Sequence, residues 1–448
     1  MASTYLSRTF ETATNRRKCT ISYWVKKCGF PNATQQIFCS YYNNNYRFQS
    51  YFMDDDTLAL LNIDNNNTNV YLTTNAKYRD PNAWYHVVQQ IDTTQSTSSD
   101  RVKVYVNGEQ ITSFANSTYP SQNDDMSYGA STYTHYIGRY GTDSNYLDGV
   151  LSHYYFIDGA VIAHTEFGET DSTTGEWKIK TSPTISSFGN SGCKMFINDN
   201  SVNDQSGNSN NFTLGGGTLT KTEDCPSNVF CTMNPLNAVY ISFLQGNNTI
   251  SGGNNGSDYS YIGSTLAANS GKFYWEVKAA DLAEIDQVGV ALASSSFTGI
   301  GLGGGLQNNF GGKSVQFSNG NKAGDSAQSA HMGGFSEDDI MMVALDLDNN
   351  KITFGRNGQW SNGSGGADQT YANSTAAFTN LTAGEYYMPA HAMRGYGGNT
   401  GISRYNFGNG YFATTAVSSA GTNASNIGIF EYDVPSGFTA LSTKGLNE

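Results

Sequence analysis

Apolar and polar residues alternate with a period of two through almost the whole chain, which leaves little besides β-sheet open to it. Thr20 to Val25 (TISYWV), Trp84 to Val88 (WYHVV) and Arg101 to Val106 (RVKVYV) are rich in β-branched and aromatic residues and are bounded by Asn, Asp and Gly. That is the pattern of strands. Helical periodicity is nearly absent. Asn107-Gly108 follows the third run and leads into Glu109-Gln110-Ile111; both turn residues tolerate positive φ, so the pair predicts a tight hairpin. Asp346 to Phe354 predicts a second hairpin, and Asn357-Gly358 turns the chain again. Many short strands at even spacing imply antiparallel sandwiches, not a parallel sheet.

Composition decides whether such strands can build a core. Charged residues make up only 14% of the 448, but aromatics reach 13%, enough to exclude disorder for most of the chain. The balance of 25 basic and 38 acidic residues gives −13. Nucleic acid is a poor partner for such a chain, because counterion release needs a basic face. Arg16-Arg17-Lys18 and Lys26-Lys27 are read as solvated positions flanking a strand. The longest apolar run, Ile340 to Leu345, falls far short of the ~20 residues that span a bilayer, so no membrane insertion is expected. The first ten residues hold no apolar stretch, and a cleaved secretory signal is not expected. Six cysteines, at 19, 28, 39, 193, 225 and 231, form no C-x-x-C pair and are read as thiols. Cys225 and Cys231 are close enough in sequence to meet across a turn. No metal site and no cofactor is expected.

Between about 181 and 235 the composition shifts to Asn, Asp, Ser and Gly. This stretch is read as a connector of short turns between domains at 1–180 and 236–448, each able to fold alone.

The first half resembles a laminin-G-like, concanavalin A-like jelly roll. Trp84 to Val88, Val104 to Gly108 (VYVNG), Tyr136 to Arg139 (YIGR), Leu147 to Gly149 (LDG) and Phe156 to Gly159 (FIDG) carry the likeness, the strands beginning by about Thr20. The second half resembles a SPRY domain over 236–442, through Gly271 to Val277 (GKFYWEV), Val288 to Ala291 (VGVA), Asp339 to Gly358, Tyr387 to Ala390, Asn406 to Gly408 and Pro435 to Phe438. The resemblance implies an all-β protein, two concanavalin A-like antiparallel β-sandwich domains joined by a Gly/Asn-rich connector. The tandem also resembles surface proteins of tailed bacteriophages. It implies a virion location, other virion proteins and host surface glycans as partners, and a homo-oligomer.

Candidate chemistry is sparse. Retaining glucanases on this fold pair two carboxylates about 5 Å apart on one strand. Glu284 and Asp286 are expected to share a strand face, but Val288 or Gly289 stands where the second glutamate would be, so the chain is expected not to be an enzyme. Asp54-Asp55-Asp56 and Asp64 to Asn67 are candidate oxygen ligands for calcium, read in preference as hairpin tips. Gly299 to Gly305 is expected neither to open a helix nor to hold phosphate. The sequons at Asn32 and Asn373 are expected to be unmodified.

Tyr41, Tyr42, Tyr46, Tyr133, Tyr140 and Tyr146 lie in turn-rich segments, as do Tyr51 and Tyr136. Their rings offer flat apolar faces with hydroxyls, suited to sugars or protein surfaces. The first six are the candidate partner surface, although at least half of such residues are expected to pack in the sandwich.

Overall fold

The computed structural model describes residues 3–29, 33–253, 258–297, 304–324, 328–395 and 399–448. It is 46% strand and 3% helix and divides into two compact units, Met1–Lys221 and Thr222–Glu448.

The first unit is built from β1 (Tyr5–Thr9), β2 (Lys18–Lys27), β3 (Gln35–Asn43), β4 (Tyr46–Phe52), β5 (Thr57–Asp64), β6 (Asn67–Lys77), β7 (Trp84–Asp92), β8 (Val102–Val106), β9 (Glu109–Ile111), β10 (Phe114–Thr118), β11 (Thr134–Ile137), β12 (Gly149–Asp158), β13 (Gly168–Thr170), β14 (Trp177–Ile179), β15 (Cys193–Met195) and β16 (Thr213–Gly215). One sheet runs β10-β6-β5-β4-β3-β11-β1-β16 and the other β15-β12-β2-β7-β8-β9. Ile21, Tyr23, Val25, Phe38, Phe48, Val87, Tyr154 and Phe156 fill the space between them. The alternation of β2 is not an inside/outside pattern, because nine of its ten residues are buried. On its second face Thr20 hydrogen-bonds Ala160 and Ile162 and Trp24 stacks on His86, beside a layer of Phe167, Ile185 and Phe188 that packs with Val88 of β7 and Tyr155 of β12.

The expected start of the fold near Thr20 is corrected: β1 precedes it and pairs with β11 and β16. The expected connector is also divided between the units. β15 adds to β12, β16 adds to β1, and Cys193, Met195 and Phe212 are core residues of the first unit. Phe230, Cys231 and Met233 are core residues of the second. Asn, Asp and Ser dominate 198–211 because their side chains supply the turns. Asp204 accepts backbone N–H groups from Lys194, Ser206 and Asn210, work that a carboxylate can do in place of a ladder.

The second unit contains β17 (Met233–Val239), β18 (Ile241–Leu244), β19 (Thr249–Gly252), β20 (Ser260–Ser264), β21 (Lys272–Asp281), β22 (Ile285–Leu292), β23 (Lys313–Gln316), β24 (Asn321–Ala323), β25 (Ser329–Ala330), β26 (Ile340–Asp346), β27 (Lys351–Arg356), β28 (Gln359–Ser361), β29 (Ala367–Gln369), β30 (Tyr387–Arg394) and β31 (Gly401–Asn406). Its sheets run β17-β20-β30-β22-β23-β24-β25 and β18-β19-β31-β21-β26-β27-β28-β29. Trp275, Val277, Val288, Val290, Met341, Val343 and Tyr405 pack between them. Both units are antiparallel β-sandwiches.

The Asn-Gly turns behave alike in the two units. Asn107 (φ 48°) and Gly108 (φ 83°) join β8 to β9, and Asn357 (φ 50°) and Gly358 (φ 86°) join β27 to β28. Each Asn also reaches back to a third strand. Asn107 Oδ1 accepts the His86 N–H at 2.8 Å while its own N–H goes to the His86 carbonyl, and Asn357 does the same with Ile340. Alanine would lose the side-chain acceptor and tolerate the positive φ poorly. Asn107→Ala and Asn357→Ala should each destabilise their own unit by about 2 kcal/mol, measurable by urea denaturation. A loss under ~0.5 kcal/mol would show that the turns carry no such role.

Candidate functional site

The six candidate tyrosines do not form one patch. Tyr41 and Tyr42 are consecutive on β3 and point to opposite faces of its sheet, as the strand period demands. Tyr41 meets Tyr140 edge-on with centroids 5.3 Å apart. Both hydroxyls donate to Asn44 Oδ1, at 3.2 and 3.0 Å. Gly141 is what lets the 138–147 loop lie on the Tyr41 ring, since a Cβ there would stand 2.1 Å from it. Burial pushes the Tyr140 and Tyr51 phenols up to about 12.

On the other side Tyr42, Tyr46 and Tyr133 form a separate group. Tyr42 stacks on Tyr133 at 5.5 Å and 17°, and Tyr46 closes the trio at 6.3 and 6.4 Å. Tyr133 is buried, whereas Tyr42 is 57% exposed. Tyr46 donates to Asn65 Oδ1 at 3.0 Å, so the trio is held at both ends.

Tyr146 joins neither group. It packs against Tyr5 at 6.2 Å and donates to Asp143, a hydrogen bond that raises the phenol and lowers the carboxyl. Asp143 also pairs with Arg139. The Arg139 guanidinium lies 3.8 Å from the Tyr5 ring centroid and 4.4 Å from that of Tyr136. Tyr5 and Arg139 were not legible as members of this arrangement, nor was their meeting with Tyr136, because the pairing of β1 with β11 brings together residues some 130 apart in sequence.

The carboxylate candidates resolve differently from expectation. Glu284 and Asp286 share no face: Glu284 is exposed before β22, and Asp286 is fully buried. Asp286 is hydrogen-bonded to His391 Nε2, whose Nδ1 meets the Tyr405 hydroxyl at 2.7 Å. This chain ties β22 and β30 of one sheet to β31 of the other across the core, which explains the carboxylate by structure. Glu276 is buried on β21 and accepts from Tyr274 (2.9 Å), Asn406 (3.1 Å) and the backbone N–H groups of Glu431 and Tyr432 (2.9 and 2.8 Å). Burial, outweighing those four donors, raises its carboxyl to about 7. It pins the C-terminal segment, whose Phe430, Val434 and Phe438 cover Tyr274, Met342 and Ala344.

Asp56 is buried and paired with Lys27 and Arg79; Lys26 and Lys27, read as solvated, are both buried. Asp55 holds Thr57. Among the described residues no group of three or more His, Cys, Asp or Glu side chains is placed to hold a metal ion. None of the six cysteines is joined in a disulfide. Of Gly299 to Gly305 only Gly304 and Gly305 are described, and Gly305 does precede a four-residue helix, Leu306–Asn309. Asn32 lies outside the described residues.

Residues 2–165 match the laminin-G family model described as the concanavalin A-like lectin/glucanases superfamily. The first unit is similar to that superfamily. No curated protein matches the chain. Among solved structures the chain is similar to the SPRY domain of human HERC1, at 17% identity over 39% of this chain and 96% of that one, with a TM-score of 0.30. It is also similar to the TRIM65 PSpry domain, at 15% identity over 39% and 91%, with a TM-score of 0.28.

Proposed function

We propose that the chain is a non-enzymatic binding protein on the surface of a tailed-phage virion, attached to other virion proteins and presenting a surface that adheres to host glycans. The observation that carries the binding role is the Tyr42–Tyr133–Tyr46 trio. Tyr42 exposes more than half of its surface on a buried ring that fixes its orientation. A pre-oriented aromatic face loses little entropy when it receives a sugar ring or an apolar side chain. The match of residues 2–165 to a superfamily containing lectins supports the glycan reading, and the tandem order of the halves supports the virion reading. Glu284 has no partner carboxylate at its position, in keeping with binding without hydrolysis. A low charge content suits attachment through an apolar-centred interface, with several symmetric copies the expected arrangement.

Two measurements test this. Mass spectrometry of purified particles should find the chain, and it should stay bound at ~0.5 M salt, where surface ion pairs are screened. On immobilised host polysaccharide Tyr42→Ala should weaken binding about tenfold, the scale of one aromatic contact, with no reducing ends released. Absence from particles with glycan binding intact would favour the second reading, a free lectin. Failure of both would leave an intracellular adaptor.

A further inference from the structure

The outer face of the six-stranded sheet of the first unit carries five aromatic rings in a row. Trp24 stacks on His86 at 4.7 Å and 15°, His86 on Trp177 at 6.0 Å and 18°, Trp177 on His164 at 5.9 Å and 28°, and His164 on Tyr105 at 4.1 Å and 13°. Trp24, His86 and Tyr105 belong to β2, β7 and β8. Trp177 arrives from the hairpin of β13 and β14, which pair only with each other among the described strands. Its indole slots against Gly108 and Gly168, where a Cβ would approach within 2.4 and 2.5 Å of the ring.

The hydrogen bonds fix the imidazole's protonation. Trp177 Nε1–H can only donate, and it donates to His86 Nδ1 at 3.0 Å. His86 Nδ1 must therefore be bare, and Nε2–H faces Ser22 Oγ at 3.0 Å. A proton added at Nδ1 would set two N–H groups against each other.

We propose that the β13–β14 hairpin is an acid-released cover: protonation of His86 breaks its bond with Trp177 and frees residues 168–179 to leave the aromatic face. Phe167, buried beside Val88 and Tyr155, stays as the hinge anchor. The charges around the imidazole do not oppose release. Burial holds His86 down at about 3, and His164 of the covering turn and His153 of β12 add to the effect. Lys26 on β2 donates to Asn82 at 3.0 Å. Glu109 on β9 acts on His164, and within the hairpin Lys178 pairs with both Glu169 and Asp171. Opening returns His86 to water and to its ordinary value of about 6.5, so each pH unit below that raises the open fraction up to about tenfold.

Hydrogen exchange of the full chain, corrected for intrinsic rates, tests this at pH 7.0 and 5.0. Protection of 168–179 should fall about 25-fold and should lie below that of β2 and β7 at both pH values, because the hairpin opens without the rest of the unit. His86→Gln retains an acceptor for Trp177 and a donor for Ser22 but takes no proton; its hairpin should change less than ~3-fold. Protection of the hairpin equal to that of β2 and β7 at both pH values, or a 25-fold fall in His86→Gln, overturns the proposal. Should that variant be misfolded at pH 7.0, an NMR titration of wild-type His86 decides. A midpoint far below 6.5, moving with the Trp177 indole resonance, supports the cover. A midpoint near 6.5 with that resonance unmoved overturns it.

Discussion

A fragment ending at residue 180 should fail to fold, whereas one ending at 221 should fold cooperatively. The shorter piece contains every segment that resembles a laminin-G-like domain, yet it lacks β15, β16 and three core side chains, Cys193, Met195 and Phe212. Losing a buried Met or Phe typically costs about 2–5 kcal/mol. It also leaves the edges of β12 and β1 unpaired and removes the N–H of Ser191 from buried Asp158. Together these losses rival the ~5–15 kcal/mol that holds a domain together. Far-UV circular dichroism and thermal melts of 1–180 and 1–221 decide the matter. A sharp melt of 1–180 within about 5 °C of that of 1–221 would show that the later strands are ornamental.

Acid should unfold the first unit well before the second. Burial holds His86 and His135 at about 3 and His153 at about 4, against roughly 6.5 in an unfolded chain. The unfolded state therefore binds more protons below 6.5, and the stability tied to keeping these rings neutral is whole above pH 6.5 and lost as pH falls towards 3–4. At pH 5 each ring accounts for about 2 kcal/mol, or about 6 kcal/mol for the three. The second unit contains opposing terms. His331, held at about 4 by burial, loses stability over the same range. Glu276 does the reverse: its raised carboxyl contributes most below pH 4.5, and that contribution disappears as pH climbs through 7. The two nearly cancel between pH 7 and 5. Calorimetry of 1–221 and 222–448 at the two pH values should show the first melting about 15 °C lower at pH 5, with the second moving by no more than about 5 °C. Equal shifts in the two units would contradict the assignment of the buried imidazoles.

Much of this molecule is written in local sequence. Period-two alternation and the Asn-Gly pairs determine strands and turns by themselves, because side-chain direction in a strand and tolerance of positive φ are properties of one or two residues. The pairs at 107–108 and 357–358 turn where they stand in the sequence. Alternation was silent about the second layer on each sheet. β2 and β26 are buried on both faces, since Ala160 and Ile162 lie on one and 427–438 covers the other, and no local pattern says which distant segment will return. Polar composition likewise suggested a connector at 181–235, but polarity there reflects turns built from side-chain hydrogen bonds, while Phe212 and Met195 reach the core. The tyrosines were legible as a group, and only the sheet decided their partners. Alternation sends Tyr41 and Tyr42 to opposite faces, while Tyr5, Tyr136 and Arg139 meet only because β1 and β11 are neighbours. The fates of Asp286, Glu276 and His86 were settled by tertiary structure alone: whether a titratable group is catalytic, structural or poised to release depends on its desolvation and on the donors that converge on it, and these come from strands far apart in the chain.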